Sequence, residues 1–285
     1  MITIYLNREV DEPTRRESIY SGDFHLITGH PASLAIVDWA RSLIAEVFGD
    51  ADPERAQFDL SVDEFIERVS PLKSRFTNDD RTKELTRDLA LAMGVDPDET
   101  YFDLPRLRVI PSDAYLTTGV SYAYKAHRDS WYGHPTNLVN YWSPVFDAVG
   151  ENVMSMYPGY FHRPIENSSG DFDYDRWVAE ARFAAAQQVG QENRPHPLPT
   201  EPVDDASEIR VAGRAGDILM FSTCHLHASA PNTSGVTRFS YDLRTIDMRD
   251  FREGRGPVNI DTAATGTTLG DFLRVADLAP LQVPA

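Results

Sequence analysis

TRFSYDLRTI, residues Thr237 to Ile246, alternates polar and apolar side chains along its length. On a strand this puts Arg238, Ser240, Asp242 and Arg244 on one face and Phe239, Tyr241 and Leu243 on the other. Similar short segments lie upstream: LRVIPS from Leu107, YLTTGVSYAY from Tyr115, NLVNYWSPVF from Asn137, NVMSMYP from Asn152, SEIRVAG from Ser207 and GDILMFS from Gly216. Each is rich in β-branched or aromatic residues and bounded by Gly, Pro, Asn or Asp. Strands at such intervals predict an antiparallel sandwich or barrel over residues 104–250.

Outward from that core the texture changes. Pro31 to Phe48 has helical apolar spacing, Ser61 and Glu64 form a capping box for a helix through Val69, and Thr82 to Met93 is a third helix ended by Gly94. Residues 1–103 are therefore read as a mainly helical packing layer without chemistry. An insertion at 157–204 interrupts the strands. It carries a helix over Phe172 to Val189 and the proline-rich loop RPHPLPTE, Arg194 to Glu201, which cannot join a sheet. A tail at 251–285 holds a short helix near Gly270 to Ala276. The whole of 1–285 is read as one domain.

Composition narrows the function. Apolar residues make up 41% of the 285, as in ordinary globular chains. Forty-four acids against 27 bases give a net charge of −17, which repels phosphate backbones and argues against nucleic acid. No apolar run is long enough to span a membrane, and MITIYLNREV places Arg8 and Glu9 where a secretory leader needs its apolar stretch. The chain is expected in the cytoplasm. With Cys224 as the single cysteine there is no intrachain disulfide and no Cys-based zinc site. Beside the candidate site, that thiol is expected to be buried and inert.

Two segments carry chemistry. In YKAHRDSWY, His127 and Asp129 are one residue apart and would project from the same face of a strand. Arg128 must then face the other way, where an ion pair is the default. CHLHASAPNTSG, a hundred residues on, supplies His225 and His227. Two imidazoles and a carboxylate can hold one face of an octahedral metal and leave the opposite positions open, as non-haem iron(II) oxygenases require. A His-x-Asp pair alone is common, and a lone strand histidine is more often a hydrogen-bonded structural residue.

The stretch His227-Ala-Ser229-Ala-Pro231-Asn232-Thr-Ser-Gly235, with Arg238 eleven residues after His227, resembles the distal motif of the phytanoyl-CoA dioxygenase-like family. GDILMF, Gly216 to Phe221, is similar to the strand that precedes this motif in the family, and the resemblance covers roughly residues 105–250. It implies a double-stranded β-helix, a cupin-like jelly roll that is mainly β with flanking helices. It also implies an oxygenase using Fe(II), 2-oxoglutarate and dioxygen. His127, Asp129 and His227 would be the iron ligands, and Arg238 would pair with the far carboxylate of 2-oxoglutarate. A guanidinium suits that carboxylate, since it offers two parallel hydrogen bonds. Ser240 could share the pocket. Trp142 recurs in the family as a pocket-lining residue, and Asn140 could donate to the bound keto acid.

His225 competes with His227, because both lie on one face of a regular strand; the His-x-Ser-x-Pro-Asn context favours His227. Trp131, Tyr132, Tyr160 and His162 are candidate substrate contacts at the mouth, the last two on an insertion that would serve as a lid. The expected activity is hydroxylation, or another oxidation, of a small molecule, with secondary metabolism as the setting. Two alternatives are a metal-dependent jelly-roll isomerase or hydrolase, which a missing dicarboxylate anchor would favour, and a non-catalytic binding protein of the same fold.

Overall fold

The structure, a computed structural model, describes residues 2–282. Its eleven strands are β1 (Ile4–Leu6), β2 (Phe24–Ile27), β3 (Thr100–Asp103), β4 (Arg106–Ile110), β5 (Leu138–Pro144), β6 (Met154–Met156), β7 (Ile209–Arg210), β8 (Ile218–Ser222), β9 (His227–Ser229), β10 (Arg238–Asp247) and β11 (Phe272–Arg274). The larger sheet runs β1-β2-β8-β5-β10-β3-β11, with β4 also pairing β10. The smaller sheet runs β7-β6-β9. Together they form a jelly roll whose two sheets face each other.

Alternation in β10 sorts its two faces. Phe239, Tyr241 and Leu243 join Leu107, Val109, Val139 and Met220 in the main core, under a layer of helices. That layer is α2 (Pro31–Phe48), α3 (Val62–Asn78) and α4 (Asp80–Ala92). Facing the smaller sheet, Trp142, Leu219 and Phe221 pack with Val153 and Met156. The polar side of β10 thus looks into the space between the sheets, beside that second core.

Several sequence expectations meet a different outcome. The first hundred residues are not only a helical layer: β2 pairs antiparallel with β8, and β1 lies parallel beside β2. Between them α1 (Glu12–Tyr20) is capped by Asp11. The capping box at Ser61 and Glu64 is present, but α3 continues past Val69 and through Pro71 to Asn78. Its buried face of Phe65, Val69, Leu72 and Phe76 outweighs the hydrogen bond that the proline removes, a loss of about 3 kcal/mol in an isolated helix.

YLTTGVSYAY forms no strand. It holds a 3₁₀ turn at Gly119–Ser121 instead. Gly119 sits at φ +59, and a Cβ there would come within 2.6 Å of the Gln188 carbonyl oxygen, so the insertion's backbone rests directly on it. The predicted helix over Phe172 to Val189 shortens to α5 (Tyr174–Glu180), followed by a 3₁₀ turn at Ala185–Gln187. α6 (Met248–Glu253) follows β10 directly. Near Gly270 to Ala276 there is no helix: a 3₁₀ turn at Thr268–Asp271 leads into β11, which pairs with β3 and buries Phe272.

Candidate metal centre

His127, Asp129 and His227 come together, with one ligand atom of each within 4.8 Å of the others and all three residues buried. The backbones of the two histidines hold each other: His127 N–H donates to the His227 carbonyl and His227 N–H to the His127 carbonyl, both at 2.9 Å. β9 is therefore extended by one bridge to His127. Asp129 does not continue that strand. It opens a 3₁₀ turn, Asp129–Tyr132, and its own N–H donates to the Thr223 carbonyl at 3.1 Å. That turn, not strand alternation, aims its carboxylate at the histidines.

The hydrogen bonds leave the three donor atoms free. His127 Nδ1 pairs with the Lys125 carbonyl at 2.8 Å, and His227 Nδ1 with the His225 carbonyl at 3.0 Å. Each carbonyl can only accept, so both Nδ1 atoms carry the proton and both Nε2 lone pairs point inward. They lie 3.4 and 3.8 Å from Asp129 Oδ1. The other carboxylate oxygen, Oδ2, accepts from Asn140 Nδ2 at 2.9 Å and from Arg244 Nε at 3.1 Å.

Electrostatics favour the ligand forms of Asp129 and His227. Burial on its own would raise the pKa of Asp129, but the Arg244 charge and the contact with His127 outweigh it and hold the carboxyl well below its usual range. Burial, reinforced by neighbouring His127, draws His227 down to about 4 and keeps the imidazole neutral. Two neutral imidazole nitrogens and a carboxylate oxygen on one side of a point suit ferrous iron with open positions opposite.

The centre opens into a cavity of about 690 Å³, also lined by Asn140, Trp142, Arg238 and Arg244. Arg238 is 4% exposed, and one Nη donates to the Asn152 carbonyl at 2.8 Å. Its Nε has no partner, and no carboxylate pairs with it among the described residues. Trp142 lies with its ring centre 5.9 Å from the guanidinium, and its buried Nε1 is also unpaired. Burial, with Arg108 nearby, lowers Arg238 to about 10. Buried donors normally have partners, so this cluster fits a dicarboxylate whose far end reaches Arg238.

Other candidate residues fall elsewhere. Ser240 is buried on the Arg238 face with its Oγ unpaired, but it does not line the cavity. Asn140 serves the Asp129 carboxylate instead of standing ready for a keto acid. Tyr132 does line the cavity, with its ring 5.3 Å from that of His127. Trp131 is turned inward, packs with Tyr160, Ile165 and Leu226, and donates to Asp261 at 2.8 Å. Tyr160 is buried in that same cluster, and His162 is exposed on the surface. Trp131, Tyr160 and His162 are therefore not cavity residues.

His225 leaves the strand geometry that made it a rival ligand. Its N–H closes a turn onto the Ser222 carbonyl, and its ring stacks 4.3 Å from Phe24 while Nε2 pairs with the Gly22 carbonyl at 2.9 Å. Cys224 is buried, and burial pushes its thiol up to about 11. Arg128 is 1% exposed and pairs with Asp261 at 2.9 Å. The sequence puts Arg244 on the same strand face as Arg238 but gives it no part in the metal centre. Its place on the polar face of TRFSYDLRTI was the available signal, and its grip on Asp129 and Asp103 was not.

The sequence matches the model of the phytanoyl-CoA dioxygenase (PhyH) family over residues 34–240. No curated protein is significantly similar. Among solved structures, EvdO2 from Micromonospora carbonacea var. aurantiaca complexed with 2-oxoglutarate is similar at 15% identity, covering 84% of this chain and 91% of that one, with a TM-score of 0.48. The non-haem monooxygenase ThoJ is similar at 14% identity over 77% and 71%, with a TM-score of 0.44. The α-ketoglutarate-dependent epimerase SnoN from nogalamycin biosynthesis is similar at 15% over 83% and 82%, with a TM-score of 0.40.

Proposed function

Because the chain belongs to the phytanoyl-CoA dioxygenase family, we propose that it oxidises a small molecule in the cavity above His127, Asp129 and His227, using iron(II) and 2-oxoglutarate. Iron(II) with 2-oxoglutarate and dioxygen supplies the oxidation, consuming one dioxygen and releasing succinate and carbon dioxide for each substrate oxidised. Everything else falls to the chain's own residues.

His127 and His227 present Nε2 because their Nδ1–H groups are tied to carbonyls. Asp129 presents Oδ1 because Asn140 and Arg244 occupy Oδ2. Arg238 receives the far carboxylate of the co-substrate against the Trp142 ring. Tyr132 and the aromatic wall around it restrict water near the reacting centre. Hydroxylation is the default outcome. The observation that carries this reading is the joining of a two-histidine, one-carboxylate cluster to a buried arginine that has no carboxylate partner among the described residues, in one cavity. That arginine also argues against an isomerase or hydrolase built on the same three ligands.

The test is anaerobic addition of iron(II) and 2-oxoglutarate. One iron per chain and a weak visible charge-transfer band are expected, with the band lost in His127→Ala and in Asp129→Ala. Protein that takes up iron but shows no band and no change with 2-oxoglutarate would contradict the reading.

A further inference from the structure

The cavity is charged against the rest of the molecule. The chain carries −17, yet its cavity wall is rich in cations. Three of them are matched. Arg244 lies between Asp129 and Asp103, Arg108 forms a fork on Asp242, and Arg194 pairs with Glu192. Besides Arg238, three are not fully matched. Arg106 and Arg182 share the single carboxylate of Asp271 at 3.7 and 2.9 Å. Lys73 has no carboxylate partner among the described residues; its Nζ donates to the Val120 carbonyl and keeps two further N–H groups.

Lys73 reaches the cavity from α3, because that helix runs on beyond Pro71. Burial, then the charges of Arg108 and Arg194, draw its pKa down to about 7, as expected of a cation held among cations. An arriving anion would relieve that repulsion. Arg238 does not serve here, since the co-substrate's carboxylate claims it.

Between the metal ligands and this pole stands a wall of rings. Tyr124 and Tyr132 each lie 5.3 Å from the His127 ring, and Phe172 lies 5.2 Å from Tyr132. Arg108 sits 5.2 Å over Tyr124 and Arg194 6.0 Å from the Tyr122 ring, so the aromatic surface leads directly to the cations. Aromatic faces and edges favour a flat, unsaturated partner, and the surplus cations favour an acidic one.

Given the oxygenase reading of the metal centre, on which this rests, we infer that the substrate is a planar ring compound bearing a carboxylate. Its ring packs against Tyr124, Tyr132 and Phe172, and its carboxylate is received by Lys73 beside Arg108 and Arg194. The carbon to be oxidised is then on the side of the ring away from the carboxylate, toward His127.

The test uses the full chain loaded anaerobically with iron(II) and saturating 2-oxoglutarate, which keeps Arg238 occupied. The visible band reports an assembled site. 2-Naphthoate and its neutral counterpart 2-naphthamide are then titrated calorimetrically. Naphthoate should bind at least tenfold tighter than the amide, Lys73→Gln should abolish that preference, and Lys73→Arg should keep much of it, with the band intact in both variants. Equal affinities, no binding of naphthoate, or a preference that survives Lys73→Gln would overturn the carboxylate pole while leaving the oxygenase reading standing. Absence of the band in the wild-type protein would instead overturn the oxygenase reading and this inference with it.

Discussion

Arg244 donates through Nε to Asp129 at 3.1 Å, on the carboxylate oxygen that faces away from the two histidines. The arginine stands six residues beyond Arg238 on the same strand face, and the two guanidiniums have separate duties. One holds Asp129; the other has no carboxylate partner among the described residues. Arg244→Ala should weaken iron(II) affinity by about 10- to 100-fold, the usual cost of losing a group that orients a ligand. Asn140→Ala should act in the same direction, since Asn140 secures the same oxygen. Iron titration by equilibrium dialysis measures both, and wild-type affinity in the two variants would mean that Asp129 needs neither support.

Arg238→Ala should spare iron binding and damage 2-oxoglutarate binding. Stranding one charge of a buried pair costs about 3–5 kcal/mol. The co-substrate affinity should fall by two orders of magnitude or more, at about 1.4 kcal/mol per tenfold. Arg238→Lys should recover part of this, because lysine keeps the charge and loses the fork. Titrating the visible band with 2-oxoglutarate reads the affinity; an unchanged curve for Arg238→Ala would remove it as the anchor.

His227→Ala should lose iron, whereas His225→Ala should lose stability first. His225 is fully buried between Phe24 and Phe161, and it contributes its backbone carbonyl, not its ring, to His227. That carbonyl survives the substitution. Metal stoichiometry and thermal unfolding separate the two effects, and complete loss of iron from folded His225→Ala would reverse the assignment.

Asp261 ties the tail to the insertion. Its carboxylate accepts from Arg128 Nε, Trp131 Nε1 and the Ile165 N–H. Asp261→Ala leaves the Arg128 guanidinium buried without a counterion, which should cost about 3–5 kcal/mol. Denaturant unfolding measures the loss, and limited proteolysis should cut the region 157–204 more readily. A cost below about 0.5 kcal/mol, the range of ordinary surface substitutions, would show that the carbonyls around Arg128 suffice without Asp261.

The strands that carry the site were legible because their sequence patterns are local. TRFSYDLRTI alternates polar and apolar residues, GDILMFS is a short apolar run bounded by Gly and Asp, and both form strands close to the predicted bounds. His127, Asp129, His227 and Arg238 could be picked out by motif and offset. Whatever depends on contacts distant in sequence was not legible. Trp131 follows Asp129 by two residues, yet a 3₁₀ turn and the remote Asp261 pull it inward. Lys73 lies beyond Val69, where the sequence reading ends that helix; only the continuation of α3 and its packing beside β4 bring it to the cavity. The N-terminal strands are too short to announce themselves, and β8, the partner of β2, lies nearly two hundred residues away.

That pairing has a consequence for handling the protein. β2 takes up the hydrogen-bonding edge of β8, whose sequence ILMFS is uncharged and buried throughout. Removing residues up to Ile27 would uncover that edge, and an apolar strand with free N–H and C=O groups is a template for a neighbouring chain. The shortened protein should associate edge to edge and come out of solution. The segment leading from β8 to His227 would lose its lateral support in the same step, so self-association and poor metal retention should arrive together.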